Sequence, residues 1–220
     1  MNIRPLQLIR HLAAALLFAL SAGLATAAAT DYPTRPIRYI VGFAPGGIND
    51  ILARIVAQKL NDAWGQPVIV DNRPGAGGNL AAGLVAKSTP DGYTFMNIST
   101  AHTISQTLYS KLDYSLERDL TPVVVLGTAS LIMVIHAGLP AKNVAELVTW
   151  AKGNRLVYAS GGVGVISHLA MEMFKVAAKI ESTHVPYKGV GPAVPDLISD
   201  RKSTRLNSSH TDISRMPSSA

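Results

Sequence analysis

Two stretches of this chain join the end of an apolar run to the start of an amphipathic one through glycine, and both carry residue types suited to holding an anion. The first is Phe43-Ala44-Pro45-Gly46-Gly47-Ile48-Asn49-Asp50, and the second is Ser160-Gly161-Gly162-Val163-Gly164 leading to Ser167-His168. Where a strand ends and a helix begins, the first helical N–H groups have no partner within the helix, and the helix dipole adds partial positive charge. Glycine removes the side chains that would keep a ligand away from that backbone. Two such cradles on two sheets would suit a dicarboxylate, or one carboxylate plus a polar group, held between them. Each loop also has a purely structural reading. A glycine at such a turn often satisfies only a tight backbone geometry, and Asn49 or Asp50 can serve simply as a helix cap. A carboxylate at Asp50 would repel an anionic ligand, so a structural role is expected there. His168 has either role open to it, donor to a ligand oxygen or packing residue, while His136 and His184 lie in strand-like runs and are expected to be structural.

The same residues argue against an enzyme. The run Gly75-Ala76-Gly77-Gly78-Asn79-Leu80 begins like a dinucleotide-binding fingerprint but has Leu80 where the third glycine belongs. The phosphate-loop pattern G-x-x-x-x-G-K-[ST], the zinc helix H-E-x-x-H and the nucleophile elbow G-x-S-x-G are all absent from the chain. Ser160 and His168 could be imagined as nucleophile and base, but no orienting acid is evident. With no cysteine in the chain, thiol catalysis and thiolate-bound metal are ruled out. No cofactor and no metal are expected.

The elements that must position these loops alternate in type. The segment 37–43 (IRYIVGF) reads as a strand; after the first glycine loop, Ile48, Ile51, Leu52, Ile55, Val56 and Leu60 fall on one helical face. A second strand is expected at 68–70, a helix over 79–87, and a strand at 93–98. The runs 122–127 and 131–136 both read as strands. Asn143 opens a helix with Glu146 placed to complete a capping box. A strand at 156–159, a helix over 167–178, a strand at 183–185 and a helix from 191 complete the series. Short strands alternating with helices predict an α/β fold around largely parallel sheets.

The ends differ in character. Arg4, Arg10 and His11 precede an apolar core at 12–20, and Ala25-Thr26-Ala27 is an A-x-A cleavage site, so residues 1–27 are expected to be a secretory signal peptide. Residues 202–220 (KSTRLNSSHTDISRMPSSA) are serine-rich without apolar periodicity; they resemble translated adapter sequence and are expected to be a non-native tail. Of the net charge of +6, the signal and the tail each carry +2, which leaves +2 for everything between them. No basic cluster remains for nucleic acid, and none is expected as a partner.

The residues then carry a resemblance. Tyr32-Pro33, the first glycine loop with Asp50 and Ala53-Arg54, Gly65-Gln66-Pro67-Val68, Asp71-Asn72-Arg73-Pro74-Gly75-Ala76-Gly77-Gly78-Asn79 and Pro90-Asp91-Gly92-Tyr93-Thr94 are similar to the Bug-type (TctC-like) receptors of tripartite tricarboxylate transporters. Tyr158-Ala159-Ser160, Ser167-His168-Leu169 and Val185-Pro186-Tyr187-Lys188-Gly189 continue the likeness, which runs from about residue 32 to about residue 200. It implies a periplasmic binding protein of type II, with two βα domains around a ligand cleft, at 28–100 and 101–201, the second incomplete because the family continues beyond it. It implies a receptor that captures a small carboxylate in the periplasm and hands it to the permease subunits of a membrane transporter. The alternatives are a ligand sensor for a membrane kinase or, less favoured, an enzyme with an anion site on the glycine loops. Carried over by position, the ligand-binding residues are Phe43, Ala44, Gly46, Gly47 and Asn49 in the first loop and Ser160, Gly161, Gly164 and His168 in the second. Thr100, Ala101 and His102 would lie toward the hinge, and Tyr187 and Lys188 beside the cleft.

Overall fold

The computed structural model describes residues 32–199 and the backbone of Ser208–His210. The expected signal peptide, and the tail apart from those three residues, lie outside the described part.

A three-stranded parallel sheet forms the first lobe. The β-branched and aromatic run Ile37–Val41 is β1, and its side chains are buried but for Arg38. After the first glycine loop comes α1 (Ile48–Trp64), then β2 (Val68–Asn72), α2 (Asn79–Ala86) and β3 (Thr94–Met96). The sheet order is β2-β1-β3, with Ile37 opposite Val68 and Arg38 opposite Thr94. Helix α1 places Ala53 and Ala57, one turn apart, against Tyr39, Val41 and Phe43, which is what the i, i+4 spacing of small residues permits. Gly65 stops it with φ 62°, a left-handed cap that glycine adopts without a steric penalty.

Helix α3 (Thr100–Leu108) is an element the sequence reading did not anticipate, having placed Thr100, Ala101 and His102 near a hinge. Its apolar content is thin, so the 3.6-residue pattern is weak. Polar contacts hold it in place: Asn79 donates to Ser105 Oγ at 3.0 Å, and Tyr114 donates to Asn79 Oδ1 at 2.7 Å. A short turn of helix, α4 (Leu116–Asp119), follows.

The run 122–127 was expected to be a strand and is not one. Residues 121–130 are exposed throughout, with Val123, Val124 and Val125 at 88%, 71% and 82% exposure. Three valines in a row favour extended backbone, but a strand needs a neighbour to take its hydrogen bonds. No partner strand lies beside this run among the described residues. The next run does pair, as β4 (Ile132–Val134), antiparallel to β7 (Ser208–His210).

The second lobe is built on β5 (Leu156–Ser160), wholly buried, and the parallel β6 (Ser182–Pro186). Helix α5 (Val144–Ala151) starts at Asn143, whose side chain accepts from Glu146 N at 2.9 Å, as expected. Glu146 reaches back one residue further than a standard box, to Lys142 N at 2.7 Å. Helices α6 (Ile166–Ala178) and α7 (Ala193–Ser199) complete the lobe. Leu139, Leu147, Leu156, Tyr158, Met171 and Ile180 form its main core, with Phe174 and Trp150 packed against it.

Candidate functional site

The carboxyl end of β1 and the carboxyl ends of β5 and β6 face each other, and the glycine loops that follow them bound a cleft of ≈ 390 Å³. Ligands of open α/β sheets bind beyond the carboxyl ends of the strands, where helix starts converge. Of the residues read from sequence as ligand-binding, Phe43, Gly161, Tyr187 and Lys188 line this cleft. Gly42, the loop 75–78, Tyr109, Gly162, Val163 and Pro186 complete the lining. The loop 75–78 is read from the sequence as an incomplete dinucleotide fingerprint and as part of the family resemblance, but none of its residues is among the expected ligand-binding ones; the structure places it on the cleft.

The first loop is held by one buried carboxylate. Asp50 Oδ2 accepts from Gly46 N at 3.0 Å and Arg54 Nε at 3.1 Å, and Oδ1 accepts from Asn72 Nδ2 at 2.9 Å. Asn72 also donates to Phe43 O at 3.0 Å, so the end of β2 braces the end of β1. Burial works against the charge on Asp50, but the bonds from Arg54, Gly46 and Asn72 outweigh it and hold its carboxyl below the usual range. The Gly46 amide is therefore already engaged within the chain. Gly47 contributes its carbonyl to Asp50 N and Ile51 N, starting α1, and Asn49 offers its carbonyl to Asn97 Nδ2 at 2.7 Å. Ala44 N donates across the cleft wall to Lys188 O at 2.7 Å, joining the first loop to the second lobe. Thr100 is exposed, and Ala101 is buried in the core shared with Tyr39 and Phe43.

His102 sits beneath the loop 75–78. It is fully buried, its Nδ1 accepts from Ser99 N at 3.0 Å, and its ring stands edge-on to Phe43 at 6.2 Å. Burial pushes its pKa down, against the opposing effect of the Ser99 and Gly78 backbone, so it is neutral near pH 7. Gly78 has φ +97°, and a Cβ there would come within 2.7 Å of His102 Nε2. A Cβ on Gly42 would in turn meet Gly78 Cα at 2.8 Å. Glycine at both positions lets backbone pass against backbone and leaves the cleft floor free of side chains.

The second loop is closed on itself. Ser160 is fully buried; its Oγ accepts from Gly162 N at 3.1 Å, lies 2.9 Å from Gly162 O and is 2.7 Å from His184 Nε2. The proton arrangement His184 Nε2–H to Ser160 Oγ, then Ser160 O–H to Gly162 O, satisfies every one of these contacts. Gly161 N donates to Ser167 Oγ at 3.2 Å, and Gly164 N to His168 Nδ1 at 3.2 Å. His168 stacks on His184 with centroids 4.2 Å apart, and His184 on Tyr158 at 4.7 Å. The imagined pairing of Ser160 with His168 does not occur: Ser160 bonds His184, and its hydroxyl is turned into the loop. Desolvation, with the nearby charge of His168 and Lys175, lowers the His184 pKa to about 4, although Glu172 pulls the other way. Among the described residues no group of His, Asp and Glu is placed to hold a metal ion.

Comparison with known proteins follows the same outline. Residues 52–214 match the model of the tripartite tricarboxylate transporter family receptor. BugT of Bordetella pertussis is 36% identical over 198 residues, covering 88% of this chain and 61% of that protein. A Pseudomonas sp. protein encoded in the tcbD-tcbE intergenic region is 38% identical over 179 residues, covering 80% of this chain and 53% of that one. The chain thus spans a little over half the length of the curated relatives it matches. Among solved structures, an R. palustris protein with adipate superposes with a TM-score of 0.76 at 34% identity, and MatC from Rhodopseudomonas palustris with bound malate with 0.73 at 29%. Each comparison covers 82% of this chain, and 60% and 61% of those chains. The periplasmic binding protein fold expected from the sequence is found in a further neighbour, the periplasmic binding protein BugD, which superposes with a TM-score of 0.72 at 28% identity over 82% of this chain and 60% of that one.

Two outcomes follow from the loop geometry. Asp50→Ala leaves Gly46 N and Asn72 without their acceptor and is expected to lower stability by ~2–3 kcal/mol in urea titration; a loss under ~0.5 kcal/mol would contradict the anchoring role. His184, its folded pKa depressed, binds fewer protons folded than unfolded between pH ~6.5 and about 4, so its contribution is complete above pH ~6.5 and falls as pH drops through that window. His184→Gln should flatten the fall in melting temperature over that range, and an unchanged pH profile would remove His184 as its source.

Proposed function

Because the chain belongs to the tripartite tricarboxylate transporter receptor family, we propose that it is the ligand-capturing part of a bacterial carboxylate uptake system, exported to the periplasm behind a cleaved signal peptide at residues 1–27. The observation that carries this reading is the cleft between the β1 loop and the β5 and β6 loops, with Lys188 on its lining. The adipate and malate bound by the two structural neighbours support a carboxylate as the occupant.

In this reading Phe43, Gly161, Tyr187 and Lys188 meet the ligand directly. Ala44, Gly46, Gly47, Asn49, Ser160, Gly164 and His168 hold the loops that shape its walls, and Thr100, Ala101 and His102 support the floor from beneath. The Ala44–Lys188 bond joins the lobes, so a ligand that touches both walls favours the closed arrangement over an open one and traps itself by that difference in affinity. The closed, loaded receptor then delivers the carboxylate to the membrane permease subunits. Catalysis has no place in this scheme, since the buried Ser160 hydroxyl is bonded within its own loop.

The test is equilibrium dialysis of the chain against a mixed pool of mono-, di- and tricarboxylates, with mass spectrometry of what is retained. One or more acids should be enriched, at no more than one molecule per chain, and recovered chemically unchanged. Failure to enrich any carboxylate, or recovery of a transformed product, would contradict capture as the function.

A further inference from the structure

Two of the helices that begin near the cleft open with the same device. At α3, His102 stands at the third helical position, and its Nδ1 accepts from Ser99 N at 3.0 Å. At α6, His168 stands at the third position, and its Nδ1 accepts from Gly164 N at 3.2 Å. Each histidine does what a glutamate does in a capping box, offering an acceptor to an amide just ahead of the helix. The difference is chemical. A glutamate remains an acceptor well into acid, whereas an imidazole accepts only while neutral, and both its nitrogens are donors once it is charged.

Burial separates the two histidines. His102 is fully buried and its pKa is pushed down, so it keeps its acceptor. His168 is only half-buried, within reach of water. The titratable and charged groups around it come from three elements. Glu172 and Lys175 lie on its own helix, paired with each other at 2.8 Å. Tyr158 of β5 donates its hydroxyl to Glu172, and His184 of β6 stacks on His168 at 4.2 Å. Desolvation, and then the charge of His168, lower the His184 pKa to about 4, so the stacked pair accepts one proton and resists a second.

Gly164 is where a proton on His168 is felt. Its neighbour Val163 lines the cleft and reaches the facing loop of the first lobe, where a Cβ on Gly77 would stand 3.1 Å from Val163 O. Charging Nδ1 sets two N–H groups against each other and undoes the bond that ties Gly164 to the start of α6. The other ties of this loop, Gly161 N to Ser167 Oγ and Gly162 N to Ser160 Oγ, end on hydroxyls that take up no proton.

We propose that His168 is a pH-sensitive tie on the second cleft loop. Neutral, it fixes Gly164 and Val163 against the start of α6; protonated, it frees them and loosens the wall that faces the loop 75–78. The tie governs when that wall is set, not what enters the cleft, and so goes beyond the capture reading.

The experiment follows the whole unliganded chain from pH ~8 to ~5, the span in which imidazoles ordinarily change charge. It reads amide hydrogen exchange and the magnetic resonance shifts of the histidine rings. The protection of the Gly164 amide, relative to an open amide at the same pH, should fall at least ~fivefold on acidification, as for the loss of one neutral hydrogen bond. Its midpoint should be that of the His168 ring. The Ser99 amide, bonded to buried His102, should keep its protection throughout. Equal losses at Gly164 and Ser99 would mean general unfolding and overturn the proposal, as would constant Gly164 protection or a His168 ring that stays neutral. That comparison needs no variant. His168→Asn places a carboxamide oxygen near the position of Nδ1, an acceptor that takes up no proton, and should make Gly164 protection independent of pH. A transition that survives in His168→Asn, or that vanishes in His184→Gln, would take the switch away from His168.

Discussion

The buried carboxylate of Asp50 organises the first half of the site, because it satisfies groups from three separate segments at once. It accepts from the Gly46 amide in the loop, from Arg54 one turn along the following helix, and from Asn72 at the end of the neighbouring strand. A charged acceptor bonded this fully costs little to bury, whereas the amide and side-chain donors around it would be costly to leave without a partner. Through Asn72 the knot extends to the Phe43 carbonyl, so Phe43 is held at the cleft from behind. The loop's shape is thus set before any ligand arrives.

The second loop reaches the same end by neutral means. Ser160, buried at the end of β5, uses one hydroxyl to bond the loop's amide, its carbonyl and a histidine on β6. Where the first lobe uses a charge, the second uses a stack of His168, His184 and Tyr158, kept neutral in its middle member by desolvation. The second loop turns the amides of Gly161, Gly162 and Gly164 inward, and the first does the same with those of Ala44 and Gly46.

Much of this was legible in the residues. The alternation of short apolar runs with helical spacing yields the parallel βα lobes, and the glycine loops sit where strand meets helix. Asp50 was also readable as structural, since a carboxylate has no business beside an anion. Other features were not. Helix α3 escaped because its buried face is Ala101, His102 and Ser105, residues that carry no apolar period. The valine run at 122–127 looked like a strand because propensity reports what a segment would accept, not whether a partner is there. The bond from Ser160 to His184 joins residues 24 apart in sequence, brought together only by the parallel register that sets Tyr158 against His184. The closeness of Gly42 to Gly78 is likewise a property of the packed loops, invisible along the chain.

The amides of Gly46, Gly78, Gly161 and Gly162 are bonded within the protein in the unliganded chain, and amide hydrogen exchange measures that directly. Gly46, Gly78, Gly161 and Gly162 should each exchange far more slowly than the amides of the exposed segment 121–130. Exchange of these glycine amides at the rate of that exposed segment would mean that the cradles stand open to solvent, and the account of a preformed cleft would fail.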